Sequence, residues 1–387
     1  MARPVETVFR PCLYIFKFFG LYSLSIGSVD ANRETLLGIV WSLVVVFCCM
    51  SNAIYGIVHR NVQFKSLLLT LTDTMEICIA FTNATVSIIF LLVIRRKLSS
   101  YLQKLSKCDE EFRRLIHKQK YKRTKRLNRI IGFGLALLLV VIICTYLWFD
   151  TTLYMSEITF VMIGDSMAYC FPFIIGLLVT AQFSLMTLLL KQRFVWINEK
   201  LIQTKLTSAL IDDEIIPTLE NLRRKHDILS SLGAHLNKIY SVPLLLTTLH
   251  HFIVIIVTCL LHLQDSKPLK QGHSRLLYNL YDCLVLIFHS VETVAMVMVC
   301  SKTRNEVRCY FIAIKKTDFL GEKYSQYFAP LSQNIQLFSM QLLDDEVEFW
   351  ACRIFIINET LLFSASMVGA VTSYLIIVFQ MEIDNNK

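Results

Sequence analysis

Three features of the sequence predict an all-α membrane protein, a bundle of seven transmembrane helices above a cytoplasmic helical layer. Hydrophobic residues make up 55% of the 387 and charged residues only 18%, with a mean hydropathy of +0.52; soluble domains carry roughly 45–50% apolar and about 25% charged residues. Apolar runs long enough to cross a bilayer core, about 20 residues each, recur seven times. Basic residues crowd into four segments that alternate with those runs.

Residues 1–35 form an N-terminal segment whose apolar stretch is interrupted by Arg10 and Lys17. No small-residue cleavage site follows, so it does not read as a cleaved signal. The first span covers 36–58. The second, 74–94, is less clean, with Asp73 and Glu76 at its start and Asn83 within it. Beyond it Leu98, Tyr101, Leu102, Leu105, Cys108, Phe112, Leu115 and Ile116 recur at steps of three and four. That period predicts an amphipathic helix running straight out of the membrane. The following basic run KQKYKRTKR suits either a solvated juxtamembrane face or a membrane surface.

The third span covers 130–149. The fourth, 159–190, is overlong and contains Pro172, so a kink and an extension beyond the bilayer are expected. Segment 191–239 repeats the amphipathic pattern more weakly through Ile197, Leu201, Leu222 and Leu229. These faces need partners, which implies a helical cytoplasmic layer. The fifth and sixth spans cover 240–263 and 278–300, and the seventh 356–380.

Orientation follows from the basic residues. Residues 1–35, 95–129, 191–239 and 301–355 hold 33 of the 39 Lys and Arg. Only Arg60, Lys65, Lys267, Lys270, Arg275 and Lys387 fall on the other side. A cytoplasmic N-terminus and an extracellular C-terminus follow, which excludes a G-protein-coupled receptor. The same placement accounts for the net charge of +9 without a nucleic-acid partner. The 12 cysteines are scattered, with no pair at the short spacing of a zinc or redox site, and read as small buried hydrophobes. The 12 glycines form no phosphate-cradling loop, and no enzymatic motif is present. No catalytic residue, cofactor or metal is expected.

The seventh span divides into two faces. Ser366, Gly369, Ala370, Ser373, Ile376, Ile377 and Gln380 lie on a small, weakly polar stripe, which either packs against a neighbouring helix or faces water. Ser373-Tyr374, five hydrophobic residues and Gln380-Met381 resemble the C-terminal signature of insect gustatory receptors, Thr-Tyr-(five hydrophobics)-Gln-Phe. The lead-in, with Asn358 before Leu361-Leu362-Phe363, is similar as well, as are the length, the seven spans and the inverted topology. Ser373 and Met381 depart from the pattern but keep a hydroxyl and a bulky apolar group.

The resemblance implies a tetrameric ligand-gated cation channel in the plasma membrane of gustatory sensory neurons. Four copies of the last helix would line the pore, with Ser373, Ile377, Gln380 and Met381 at the pore and its gate. The cytoplasmic helices would join subunits, as homo- or heterotetramers. Each subunit would hold its own pocket among the earlier helices, open to the outside, for a small-molecule tastant. On this reading residues 1–35 are a cytoplasmic segment, 36–300 carry six spans and the pocket, and 301–387 carry an anchor segment and the pore helix.

Ionisable residues within spans are functional candidates. Asp73, Glu76, Asp150, Glu157, Asp165 and Asp282 lie toward the outside, accompanied by Tyr146, Trp148, Tyr169 and Tyr281. Aromatic walls with carboxylates suit a protonated organic base; an interfacial aromatic belt is the alternative. We take Glu76, Tyr146, Trp148, Asp165, Tyr169, Tyr281 and Asp282 as ligand-binding candidates, with bitter compounds or cuticular cues as ligands. Glu292 and His289 read as a hydrogen-bonded pair one turn apart, and His250 and His251 as polar packing. An odorant-receptor-like channel subunit and a secondary transporter are the competing functions, although the broken-helix repeats typical of transporters are not found.

Overall fold

The computed structural model describes residues 4–24, 31–60, 67–115, 118–154, 160–207, 215–264, 273–321 and 347–364. Eight helices follow one another: α1 (Pro4–Phe18), α2 (Ala31–Arg60), α3 (Leu67–Val93), α4 (Arg95–Leu115), α5 (Lys118–Tyr154), α6 (Phe160–Thr207), α7 (Ile215–Gln264) and α8 (His273–Gly321). Two short strands, β1 (Trp350–Ala351) and β2 (Phe355–Ile356), pair antiparallel before a further helical stretch at 359–364.

Among the described residues, six helices are long and apolar enough to cross a membrane, over Arg33–Val58, Thr74–Val93, Asn128–Trp148, Met167–Gln203, Glu220–Cys259 and Asn279–Arg308. They overlap the first six predicted spans. The seventh, 356–380, lies outside the described residues beyond Ser364, and its first residue, Ile356, belongs to β2 rather than to a helix. Apolar side chains cover the outer faces: Phe47 is 70% exposed and Phe133 75%. Large exposed hydrocarbons on α2, α5 and α8 match a lipid solvent, where apolar surface needs no burial in protein.

Two helices are far longer than a membrane span, including the one expected to be overlong. α6 has 48 residues and α7 has 50, so each is roughly 70 Å long at 1.5 Å per residue, against a hydrocarbon core of about 30 Å. α6 runs through Pro172 without interruption. The weak periodicity of 191–239 is real: Ile197, Leu201, Leu222 and Leu229 are all buried.

The predicted face of α4 is buried throughout its described part, with Leu98, Tyr101, Leu102, Leu105, Cys108 and Phe112 each at most 4% exposed. Burial lifts the Cys108 thiol to about 12 and raises the Tyr101 hydroxyl as well, so neither adds charge to the layer. Only one residue separates this helix from α3, and the Ile94 N–H still donates to the Phe90 carbonyl at 3.0 Å. Ile94 separates the two, its carbonyl accepting from both Lys97 N–H at 2.8 Å and Leu98 N–H at 3.2 Å. A shared acceptor of this kind marks a local tightening of the helix.

Contacts gather the basic segments at one end of the bundle. Arg193 of α6 meets Asp109 of α4 at 2.6 Å, and Lys225 of α7 reaches Glu111 at 3.7 Å. Asn198 of α6 donates to the Glu306 carbonyl of α8 at 3.0 Å, and Arg304 pairs with Glu348 at 2.8 Å. The segment 347–357 docks there as well. Phe349 packs edge-on to Phe183 at 5.6 Å, and the Trp350 N–H donates to Asn237 Oδ1 at 2.9 Å. Gly233 makes this docking possible, because a Cβ there would lie 2.9 Å from Val347 Cγ1. α1, which composition did not reveal as a helix, lies against α5, with Cys12 Sγ 3.9 Å from the Asn128 carbonyl.

Candidate functional site

At the opposite, basic-poor end, two of the predicted ligand residues meet. Tyr146 of α5 and Tyr281 of α8 stack edge-on at 5.8 Å and 88°. This is the favourable arrangement for two ring quadrupoles, positive edge toward negative face. Tyr169 of α6 is half-buried in the same half of the bundle. One turn further along α6, Phe173 approaches Phe288 at 6.4 Å and His289 at 4.7 Å. Phe288 follows Tyr281 by seven residues, roughly 10 Å along α8. The aromatic rings therefore form two successive levels between α5, α6 and α8.

Close helix approach frames this region. A Cβ on Gly56 of α2 would lie 2.9 Å from the Ala168 Cβ of α6 and 3.6 Å from Ile77 Cδ1 of α3. Glu76 and Tyr169 are the chain neighbours of Ile77 and Ala168, and both are half-buried, as is Asp282 beside Tyr281. Trp148 is 48% exposed, which fits the interfacial belt better than a pocket wall. The side chain of Asp165 lies outside the described residues, as do those of Asp73 and Asp150 and the whole of Glu157.

Below the rings, the bundle interior is polar. Thr247 Oγ1 of α7 donates to Asn83 Oδ1 of α3 at 3.1 Å. Gly176 lets α6 come close, since a Cβ there would lie 3.1 Å from Asn83 Nδ2. His250, His251, His289, Glu292 and Thr293 are buried nearby on α7 and α8. The Glu292 carboxylate faces His251 across the helix pair, with Oε2 3.4 Å from Nε2, instead of pairing with His289 along α8. Side chains on the same helix stripe were a reasonable expectation, but the adjacent helix offers a nearer partner. The signals for this cluster were the His250-His251 pair and the spacing of three between His289 and Glu292.

Of the residues that carry the resemblance at the chain's end, Asn358 and Leu361-Leu362-Phe363 are described. Asn358 Oδ1 accepts from the Thr360 N–H at 3.1 Å and from the Thr360 hydroxyl, and the Asn358 carbonyl accepts from the Leu361 N–H at 3.1 Å. Asn358 is thus the N-cap of the helical stretch at 359–364. Immediately before it, the turn of the β ribbon holds Cys352 at φ 50° and Arg353 at φ 61°, with the Ile354 N–H donating to the Ala351 carbonyl at 2.9 Å. Positive φ at both central residues suits a tight hairpin but is unusual without glycine or asparagine. Ser373, Tyr374, Ile377, Gln380 and Met381 lie outside the described residues.

The sequence profile described as 7tm chemosensory receptor matches residues 9–385. Putative gustatory receptor 28b of Drosophila melanogaster is 23% identical over 433 aligned positions, covering 98% of this chain and 86% of its own length. Gustatory receptor for bitter taste 66a of the same fly is 25% identical over 170 positions, 43% of this chain and 30% of its own. Among solved structures, the olfactory receptor OR5 of Machilis hrabei in complex with eugenol has a TM-score of 0.72 at 11% identity, covering 96% of this chain and 97% of that one. A second solved structure of the same receptor gives 0.71 at 12% identity, with the same coverage.

Proposed function

The chain belongs to the 7tm chemosensory receptor family, among the insect gustatory receptors, and on that premise we propose that it is a taste receptor acting as a ligand-gated, non-selective cation channel. The observation that carries the reading is the two-level aromatic cluster at the basic-poor end, headed by Tyr146 and Tyr281 and neighboured by the carboxylates Glu76 and Asp282. Such a group binds a flat or cationic organic molecule through stacking and charge. The distribution of Lys and Arg supports placing that end outside the cell and the N-terminus inside. The likeness to a receptor for bitter taste supports bitter compounds as the ligand class.

The chain works in the plasma membrane of gustatory sensory neurons, as a tetramer with itself or with related receptors. Four last helices line the pore, with Ser373 and Ile377 along it and Gln380 and Met381 at its outer mouth. Four amides beside four thioethers can close such a mouth by excluding water and hydrate ions once it opens. The buried layer of α4, α6 and α7 supplies rigid helices through which the subunits anchor to one another.

The test is expression in cells without native chemoreceptors, with whole-cell recording across alkaloids, sugars, phenols and cuticular lipids. An inward current evoked by at least one class, reversing near zero millivolts, is expected. A surface-expressed chain that responds only while a solute gradient is present would be a transporter instead. A response confined to volatile compounds would favour an odorant-receptor-like subunit.

A further inference from the structure

His250 and His251 of α7 and His289 and Glu292 of α8 lie in the middle of the bundle, at 3%, 1%, 3% and 6% exposure. One ring nitrogen from each of the three histidines falls within 4.8 Å of the other two. The protons in this cluster can be assigned from the hydrogen bonds. Thr293 Oγ1 donates to the His289 carbonyl at 2.9 Å, so toward His251 Nδ1, also at 2.9 Å, it can only accept. The His251 proton therefore sits on Nδ1, and a neutral ring presents its lone pair at Nε2.

That lone pair points at a carboxylate. His251 Nε2 lies 3.4 Å from Glu292 Oε2, too far for a charge-assisted hydrogen bond, which closes to about 2.7–2.9 Å. Neither Glu292 oxygen has a hydrogen-bond partner among the described residues, and nor do His250 Nδ1 and His289 Nδ1. A neutral imidazole has one N–H and one lone pair, so each histidine can turn a lone pair toward the unpartnered Glu292 carboxylate, an arrangement that a shared cation would satisfy. Ligands around a tetrahedral zinc ion at about 2.0–2.1 Å are spaced about 3.3 Å apart. The His251–Glu292 separation already has that length, and the three histidine nitrogens, at most 4.8 Å apart, close to it by about 1.5 Å or less. Glu292, which is not within 4.8 Å of all three, joins the set by swinging its carboxylate toward them.

We propose that His250, His251, His289 and Glu292 form a buried site for one divalent first-row transition metal ion, with zinc as the occupant, joining α7 to α8. Imidazole nitrogens and a carboxylate suit zinc and cobalt and exclude calcium and magnesium, which take oxygen ligands. α8 supplies His289 and Glu292 one turn apart, the spacing of the Glu-x-x-His arrangement by which carboxylate bundles hold metals, and α7 supplies the adjacent His250 and His251. Thr293 plays the supporting role, fixing the His251 tautomer and orienting its ring. Four protein ligands fill a tetrahedron, so the ion is structural. It ties together two helices that both reach the basic end of the bundle, where β1 and β2 dock. The binding claim is independent of the channel reading.

The experiment uses the full-length receptor, purified in detergent with a tag free of histidine. Elemental analysis after equilibration with buffered zinc should give about one ion per chain, and cobalt loading should give the visible absorption of a tetrahedral N/O site without a sulfur-to-metal band. His289→Ala and the near-isosteric Glu292→Gln should each weaken zinc binding at least tenfold, and Thr293→Val about 10–100-fold. Monodispersity of the metal-free variants on size exclusion shows that they fold. A wild-type receptor that holds less than a tenth of an equivalent would overturn the site, leaving a shared proton between His251 and Glu292. Folded variants that bind zinc as tightly as wild type would overturn it too, placing the metal elsewhere, and a sulfur-to-metal band would assign it to the cysteines.

Discussion

Asp109→Ala removes the partner of a fully buried arginine. Arg193 Nε donates to Asp109 Oδ1 at 2.9 Å and Nη2 to Oδ2 at 2.6 Å, with the two side chains 1% and 3% exposed. Two charge-assisted hydrogen bonds at about 1.5–3 kcal/mol each are lost, and the guanidinium is left charged with no countercharge at hand. Breaking such a pair from one side costs about 3–5 kcal/mol. Three contacts survive: Nη1 still donates to the Leu189 carbonyl at 3.2 Å and to Gln192 Oε1 at 3.4 Å, and the Trp196 ring remains 5.0 Å from Arg193 Cζ. A cation–π contact of this kind offsets roughly 0.5–2 kcal/mol, so the low end of the range, about 3 kcal/mol, is expected. Reversible denaturant titration of the purified receptor reads it. The double variant Asp109→Leu with Arg193→Met should recover most of the loss, because an apolar pair of similar volume avoids the desolvation of both charges. An Asp109→Ala receptor within about 0.5 kcal/mol of wild type, the range of ordinary surface changes, would refute the claim that this pair locks α4 onto α6.

Four other outcomes are expected. Glycosylation acceptors inserted near residues 62 and 272 should be modified and those near 120, 215 and 325 should not; the reverse pattern would invert the topology. Gln380→Ala should change basal leak or ion selectivity with surface expression intact, and Met381→Phe should lower basal current; if both conduct as wild type, the stripe on the last helix is a packing face. Neutralising Glu76 or Asp165 should weaken responses to charged agonists by about two- to fivefold, as an ion pair of up to about 1 kcal/mol implies, and spare neutral agonists; equal losses would indicate a folding defect. Asn358→Ala should cost about 1 kcal/mol in stability through loss of the helix cap, read in the same denaturant titration, and a cost near zero would mean that water replaces the cap.

Much of the architecture was legible because lipid imposes a simple rule. A span must be apolar for about 20 residues, and six of the seven predicted runs correspond to described helices. The face of α4 was legible because Leu98, Tyr101 and Leu105 repeat at helical spacing and had to be buried. The partners on that face were not. Nothing near Asp109 announces Arg193, 84 residues away, since an ion pair between helices leaves no periodic trace. The hairpin was hidden for a similar reason: Cys352 and Arg353 lack the glycine or asparagine that usually marks positive φ. α1 was obscured by Arg10 and Lys17, which break an apolar run without breaking a helix. The aromatic candidates were half legible, with Tyr146 and Tyr281 brought together and Trp148 turned outward. The histidine cluster needed two helices to be seen side by side, because His250 and His289 acquire a shared function only in space.

The central claim, that ligand binding opens a pore in this protein itself, is tested most directly in an excised outside-out membrane patch. The bath and pipette hold symmetric cations, the pipette contains no nucleotide, and agonist is present at equal concentration on both sides in a control arm. The account predicts discrete channel openings on agonist application, persisting without nucleotide and without a ligand gradient, with a conductance altered by Gln380→Ala. Openings that vanish on excision, or a current that scales with the agonist gradient, would contradict it.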